Sequence, residues 1–224
     1  MQQTHHRSIR QDLLGNALKG AVAGAVGVWA MDRLDWFLFR RQAPQVRRQI
    51  DQARPQGMDP AHVAAGKAAR LLGAQLQPPQ PHAAGIAIHY ALGIGPGALY
   101  GALRERLPAG RAGQDFLYAA GLGAGLFLLQ DEGLNQAMGL SGRQKDYPWQ
   151  AHARGLAAHL LLGLVTNTVL NLLQAPRPAG WQMRQIRTAQ QAQSQRAWPF
   201  MRQENDFLPL AWVDATRDTG APAR

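Results

Sequence analysis

The chain has 224 residues, no cysteine, and a formal net charge of +10, with 21 Arg and three Lys against 14 acids. Without cysteine there is no disulfide framework, zinc–thiolate site or thiol nucleophile, and the length suits one domain with a loose end. A mean hydropathy of −0.27 is low for a membrane protein, but it averages over very unlike segments. The Arg excess fits basic loops beside membrane spans, an anionic lipid surface, or nucleic acid.

Residues 1–12 are polar. From Leu13 to Met31 only Lys19 is charged, and its stem can snorkel from near the end of the run. Asp32-Arg33-Leu34-Asp35-Trp36 then reads as the exit of a first, uncleaved span, with Trp36, Arg40 and Arg41 as interface anchors. Residues 42–58 read as a charged connector. Asp59-Pro60 is an N-cap followed by proline at the first helical position. It opens a short amphipathic helix, Ala61 to Leu76, with Val63, Leu71, Leu72 and Leu76 on one side, stopped by Pro78-Pro79-Gln80-Pro81.

Ala83 to Leu103 carries no formal charge and forms a second run, broken only by His89 and Pro96. Phe116 to Gln130 is a third, short and glycine-rich, leaving at Asp131-Glu132. Gly155 to Leu173 is the fourth. These runs match the roughly 20 residues needed to cross a hydrocarbon core. They are apolar on all faces rather than striped, which disfavours a soluble bundle. The expectation is an all-α bundle of four transmembrane helices, residues 13–174, between a polar N-terminal segment (1–12) and a Gln/Arg-rich tail (175–224).

Small residues recur every four positions: Gly85, Gly93, Gly97 and Gly101 with His89 in the second run, and Gly155 and Gly163 with His159 in the fourth. Gly20 and Gly24 serve in the first and Gly121 and Gly125 in the third. Such rows let helix backbones approach closely in lipid.

The second and fourth runs open alike. Pro78-x3-His82-x2-Gly85-x3-His89-x3-Gly93 reappears seventy residues on as Pro148-x3-His152-x2-Gly155-x3-His159-x3-Gly163, with nine identities in sixteen ungapped positions. A duplicated helical hairpin follows, its two copies pointing the same way about an axis along the membrane normal. The match of the first and third runs is thinner: Gly24-Ala25 with Gly123-Ala124, and Asp32 with Asp131.

Ala91 to Gly101 (ALGIGPGALYG), Asp131-Glu132, Gly139-Leu140-Ser141-Gly142, Tyr147-Pro148 and His159-Leu160 together resemble the uncharacterised YagU-like bacterial inner-membrane proteins. The resemblance spans roughly Gly15 to Leu173. It implies a multi-span inner-membrane protein and supplies neither a reaction nor catalytic residues.

Spans one and three end where two and four begin. Asp32, Asp35, Asp131 and Glu132 therefore fall on the same side of the membrane as His82, His89, His152 and His159. Ionisable groups at that depth face the bundle interior, so His89 and His159 are expected near Asp131 or Glu132. Three readings stand for this cluster. Each His holds helix register through a hydrogen bond to a carboxylate or carbonyl; or the cluster relays protons or ions; or it binds a metal or haem.

Other enzyme signatures are absent. Gly93-Ile94-Gly95-Pro96-Gly97 has no preceding strand or following Lys, as a phosphate loop would, and Ser141 lacks a nucleophile-elbow setting. No motif organises the diffuse Arg into a nucleic-acid surface. The partners expected are the lipid bilayer and, through the aromatic patch Trp198 to Trp212, a larger membrane complex to which the chain would be accessory. Thirteen Lys and Arg fall on the side of the termini and eleven on the other; we place both termini in the cytoplasm.

Overall fold

A computed structural model describes residues 2–76, 81–108, 113–175 and 190, with side chains from residue 12. The chain divides into two units, Met1–Ala175 and Pro176–Arg224, and the fold below is that of the first. The tail patch Trp198–Trp212 lies outside the described residues.

Among the described residues there are helices and no strands. They run α1 (Gln2–Arg41), α2 (Pro44–Ala53), α3 (Pro60–Leu71), α4 (Ala83–Arg104), α5 (Gln114–Leu126), α6 (Asn135–Ala137) and α7 (Trp149–Gln174). A π-helical segment, Phe127–Leu134, joins α5 to α6. Three helices are long and apolar enough to cross a membrane: α1 from Asp12, α4 and α7. The third apolar run forms a shorter α-helix that passes into the π segment without a break.

The long helices cross on backbone. A Cβ added at Gly20 would strike Gly97 O, one at Gly24 would lie 2.6 Å from Gly93 O, and one at Gly97 2.6 Å from Gly20 O. Carbonyls cannot move aside as side chains can, so this seam between α1 and α4 requires glycine. Along it Gly20 faces Gly101, Gly24 faces Gly97 and Asp32 meets His89, which makes the pair antiparallel. On its other side α1 packs antiparallel to α7, from Asn16 against Gln174 to Asp35 against Arg154. α5 lies antiparallel to α7, with Gly163 against Ala119 and Gly123. It follows that α4 and α7 run in the same direction.

Val28, Met31, Leu126, Ala158 and Leu162 form the buried core cluster. Outward, the long helices are apolar: Leu14, Leu18, Val22 and Trp29 on α1, Leu99 on α4, Phe116 and Leu117 on α5, and Leu172 on α7 are exposed. Each such side chain left in water forgoes about 1.5–3 kcal/mol of burial, so an apolar belt on helices of this length is the surface of a membrane protein.

Several sequence expectations change. Past the expected span exit α1 stays helical: Asp32 and Asp35 are held by His89 and Arg154, and the helix runs on until Pro44 restricts the residue before it. The third helix likewise continues past Asp131 and Glu132, as the π segment. Residues 44–53 of the connector are helical, with Pro44 at the first position and Ile50 buried. α3 stops at Leu71, because Gly73 (φ 72°) closes it. There Gly73 N donates to Arg70 O and Ala74 N to Ala69 O, the paired bonds of a Schellman cap. Leu71 and Leu72 are thereby exposed, while Ala61, His62, Val63 and Ala65 form the buried side of α3. Gly121 and Gly125 meet no neighbour within 4 Å; on this helix the close approach is made by Gly123, against the His159 carbonyl.

Candidate functional site: a cavity ringed by His–carboxylate pairs

The polar ends of α1, α4, α7 and the π segment, with the start of α3, enclose a cavity of about 540 Å³. Of the residues expected at the site, Asp32, His89, Asp131, Glu132, His152 and His159 line it, and His82 does not.

His89 reaches from α4 to α1, with Nε2 2.8 Å from Asp32 Oδ1. It does not reach the expected Asp131 or Glu132, because the α1–α4 glycine seam brings Asp32 to it first. On α7, His152 Nδ1 is 2.7 Å from Glu132 Oε1 and its Nε2 is 3.2 Å from Gln144 O. Gln144 O can only accept, so Nε2 donates to it, and one proton lies between Nδ1 and Glu132 Oε1. His159 gives Nδ1 to Gly155 O at 3.0 Å and stands 3.7 Å from Asp131 Oδ2.

The π segment explains how consecutive acids serve one neighbour. Two adjacent residues of an α-helix point about 100° apart. In the wider π turn Asp131 and Glu132 both reach α7, at His159 and His152. π-bulges cluster at functional sites. Gln144 steadies this one, its Nε2 donating to Asp131 O (2.7 Å) and Glu132 O (3.3 Å), and Asn135 Nδ2 donates to Asp131 Oδ1 at 3.2 Å.

His82 does different work. It is the N-cap of α4, its Nδ1 accepting from Gly85 N at 3.1 Å. Its own backbone N–H donates to Nε2 of His62 at 3.1 Å, and the two rings lie 4.5 Å apart. Since His62 Nε2 accepts, a neutral His62 carries its proton on Nδ1, which sits 2.7 Å from Asp59 Oδ2. Burial pushes the Asp59 carboxyl up, but the adjoining His62 ring and the bond from His62 N outweigh it and hold Asp59 below its ordinary value.

Sequence reasoning missed three residues of this wall: Asp59 as a cavity group, His62 and Arg154. Arg154, buried on α7, has Nε 3.0 Å from Asp35 Oδ1. The contact is an ion pair by distance without hydrogen-bond alignment, and the guanidinium lies over the Phe39 ring at 4.8 Å. A buried Arg was legible as a charge two residues from His152. Its counterpart in the first copy is Ala84, so the repeat gave no signal for it.

Among the described residues no three His, Asp or Glu side chains converge as a metal would need. His89 Nε2 is bonded to Asp32, so a metal or haem iron at His89 would have to be taken by Nδ1. The metal or haem reading finds no support in this geometry. No family model, curated protein or solved structure matches the chain.

Proposed function

We propose that the chain is a non-enzymatic protein of the bacterial inner membrane whose His–carboxylate cluster relays protons or ions. The observation that carries this is the ring of pairs on one cavity: His89 with Asp32, His152 with Glu132, and His159 near Asp131. Histidine changes charge near neutral pH, and ionisable groups kept among apolar helices are costly unless used or paired. A pure register role needs one bond per His, whereas here carboxylates from α1 and the π segment share one cavity with three rings.

The bundle in this proposal has four spans arranged as two similar hairpins, α1 with α4 and α5 with α7. A shift of 70 residues carries His89 onto His159 and Gly93 onto Gly163; one of 99 carries Gly24 onto Gly123 and Asp32 onto Asp131. Both hairpins thus set an imidazole beside an aspartate above a glycine crossing. Exposed Phe116, Leu117, Leu128 and Leu129 give the α5–π helix a lipid-facing side. The resemblance to YagU-like proteins points to the same membrane, and the Lys and Arg count places both termini in the cytoplasm.

Purified protein in liposomes loaded with a pH-sensitive dye tests the relay. An imposed pH step should relax faster than in empty vesicles, and the double variant His89→Phe, His159→Phe should lose most of that gain while still folding. Equal relaxation for protein-containing and empty vesicles rejects the relay.

A further inference from the structure

We propose that the cavity binds a small organic ammonium ion. The inference rests on the reading above that this cavity is the functional site, and adds the class of ligand it takes.

Its size is in the range of small-molecule sites, at about 540 Å³. Its wall is unbalanced in charge: Asp32, Asp35, Asp59, Asp131 and Glu132 face Arg54 and Arg154. The carboxylates outnumber the guanidiniums, and a wall with that excess draws a cation towards it. An anion would meet the same charges as repulsion.

One acceptor is also left over. Asp131 Oδ1 takes Asn135 Nδ2, but among the described residues no donor bonds Oδ2. The nearest ring nitrogen is 3.7 Å away and is given to Gly155 O. The Asp131 side chain keeps 39% of its surface open although it stands between helices, and that surface faces the cavity it lines. An N–H or N–CH₃ group of a bound cation would meet that oxygen.

The remaining wall selects the kind of cation. Tyr90, Phe127 and Tyr147 line the cavity, and Trp36 and Phe39 stand on its α1 side. Aromatic faces attract ammonium and quaternary ammonium groups. The carboxylates do not converge on a common point, so they suit a diffuse organic charge better than a bare metal ion.

The test uses the full chain in mild detergent, with thermal unfolding followed against tetramethylammonium chloride, sodium chloride at equal ionic strength, and tert-butanol as the neutral isostere. The expected result is a saturable rise in Tm with tetramethylammonium alone. Asp131→Asn should weaken the apparent affinity about tenfold and Phe127→Leu severalfold, while Glu105→Gln, on an exposed turn at the other end of α4, leaves it unchanged. Phe127→Leu carries the test if Asp131→Asn does not fold. Equal shifts with all three additives, or an affinity indifferent to both substitutions, overturns the proposal. Proton relaxation in vesicles is read separately. Ammonium binding without relay removes only the relay, and relay without ammonium binding removes only this ligand.

Discussion

Asp59 has two tasks at the start of α3: its Oδ1 accepts from His62 N at 3.0 Å as the N-cap, and its Oδ2 faces the His62 ring. Replacing it by Ala should cost about 1 kcal/mol, the usual worth of such a cap. Because its folded pKa is held below the ordinary 3.8, the charge-dependent part of that stability is present above pH 3.8 and is lost as pH falls through the folded value. Thermal unfolding of the wild type and Asp59→Ala should therefore differ most near neutrality and converge in acid; a gap that widens below pH 3.8 contradicts the pairing. Thr166 presents the opposite case. Its hydroxyl is fully buried beside Gly27 and has no hydrogen-bond partner. Leaving such a group unpaired costs about 1–3 kcal/mol, so Thr166→Val should raise Tm, and a fall would reveal a partner for the hydroxyl.

Pro96 sits inside α4 and cannot donate to the carbonyl of Leu92 one turn back. Gln130 Nε2, from the π segment, fills that vacancy at 3.1 Å. Gln130→Leu should destabilise the wild type by about 1–3 kcal/mol but act weakly in a Pro96→Ala background, where the helix bonds its own carbonyl. Additive effects in this double-mutant cycle would disprove the link. The same element shows what the sequence made legible. The limits of α4 followed from a charge-free run, and its row of Gly85, Gly93, Gly97 and Gly101 marked the seam, because every member lies on one face. On α5, Gly121, Gly123 and Gly125 offered two faces, and four-residue spacing chose the one that packs on nothing. The acids at 32 and 131 read as span ends, since a charge in an apolar run normally marks the interface, and the helices run on past both. Their partners are imidazoles on other helices, His89 being 57 residues from Asp32, and no local pattern announces such a pairing.

At the scale of Met1–Ala175, an apolar exterior surrounds a chamber that holds the His–carboxylate pairs at one end of the helices. Glycine crossings hold the far half of α1 and α4 in backbone contact, while at the near end the His–carboxylate pairs and the Arg154–Asp35 ion pair stand around open space. If protons or ions move through this protein, water must enter that chamber and remain excluded from the helix exteriors. The absence of native cysteine makes this directly measurable with single introduced thiols. Ala151 lines the cavity, and Leu128 is exposed on the outer side of the π segment. In sealed, oriented vesicles a membrane-impermeant maleimide should label Ala151→Cys rapidly from one side only and leave Leu128→Cys unmodified. Labelling of both at similar rates, or of Ala151→Cys from neither side, would contradict a water-filled, His-lined chamber within a membrane bundle.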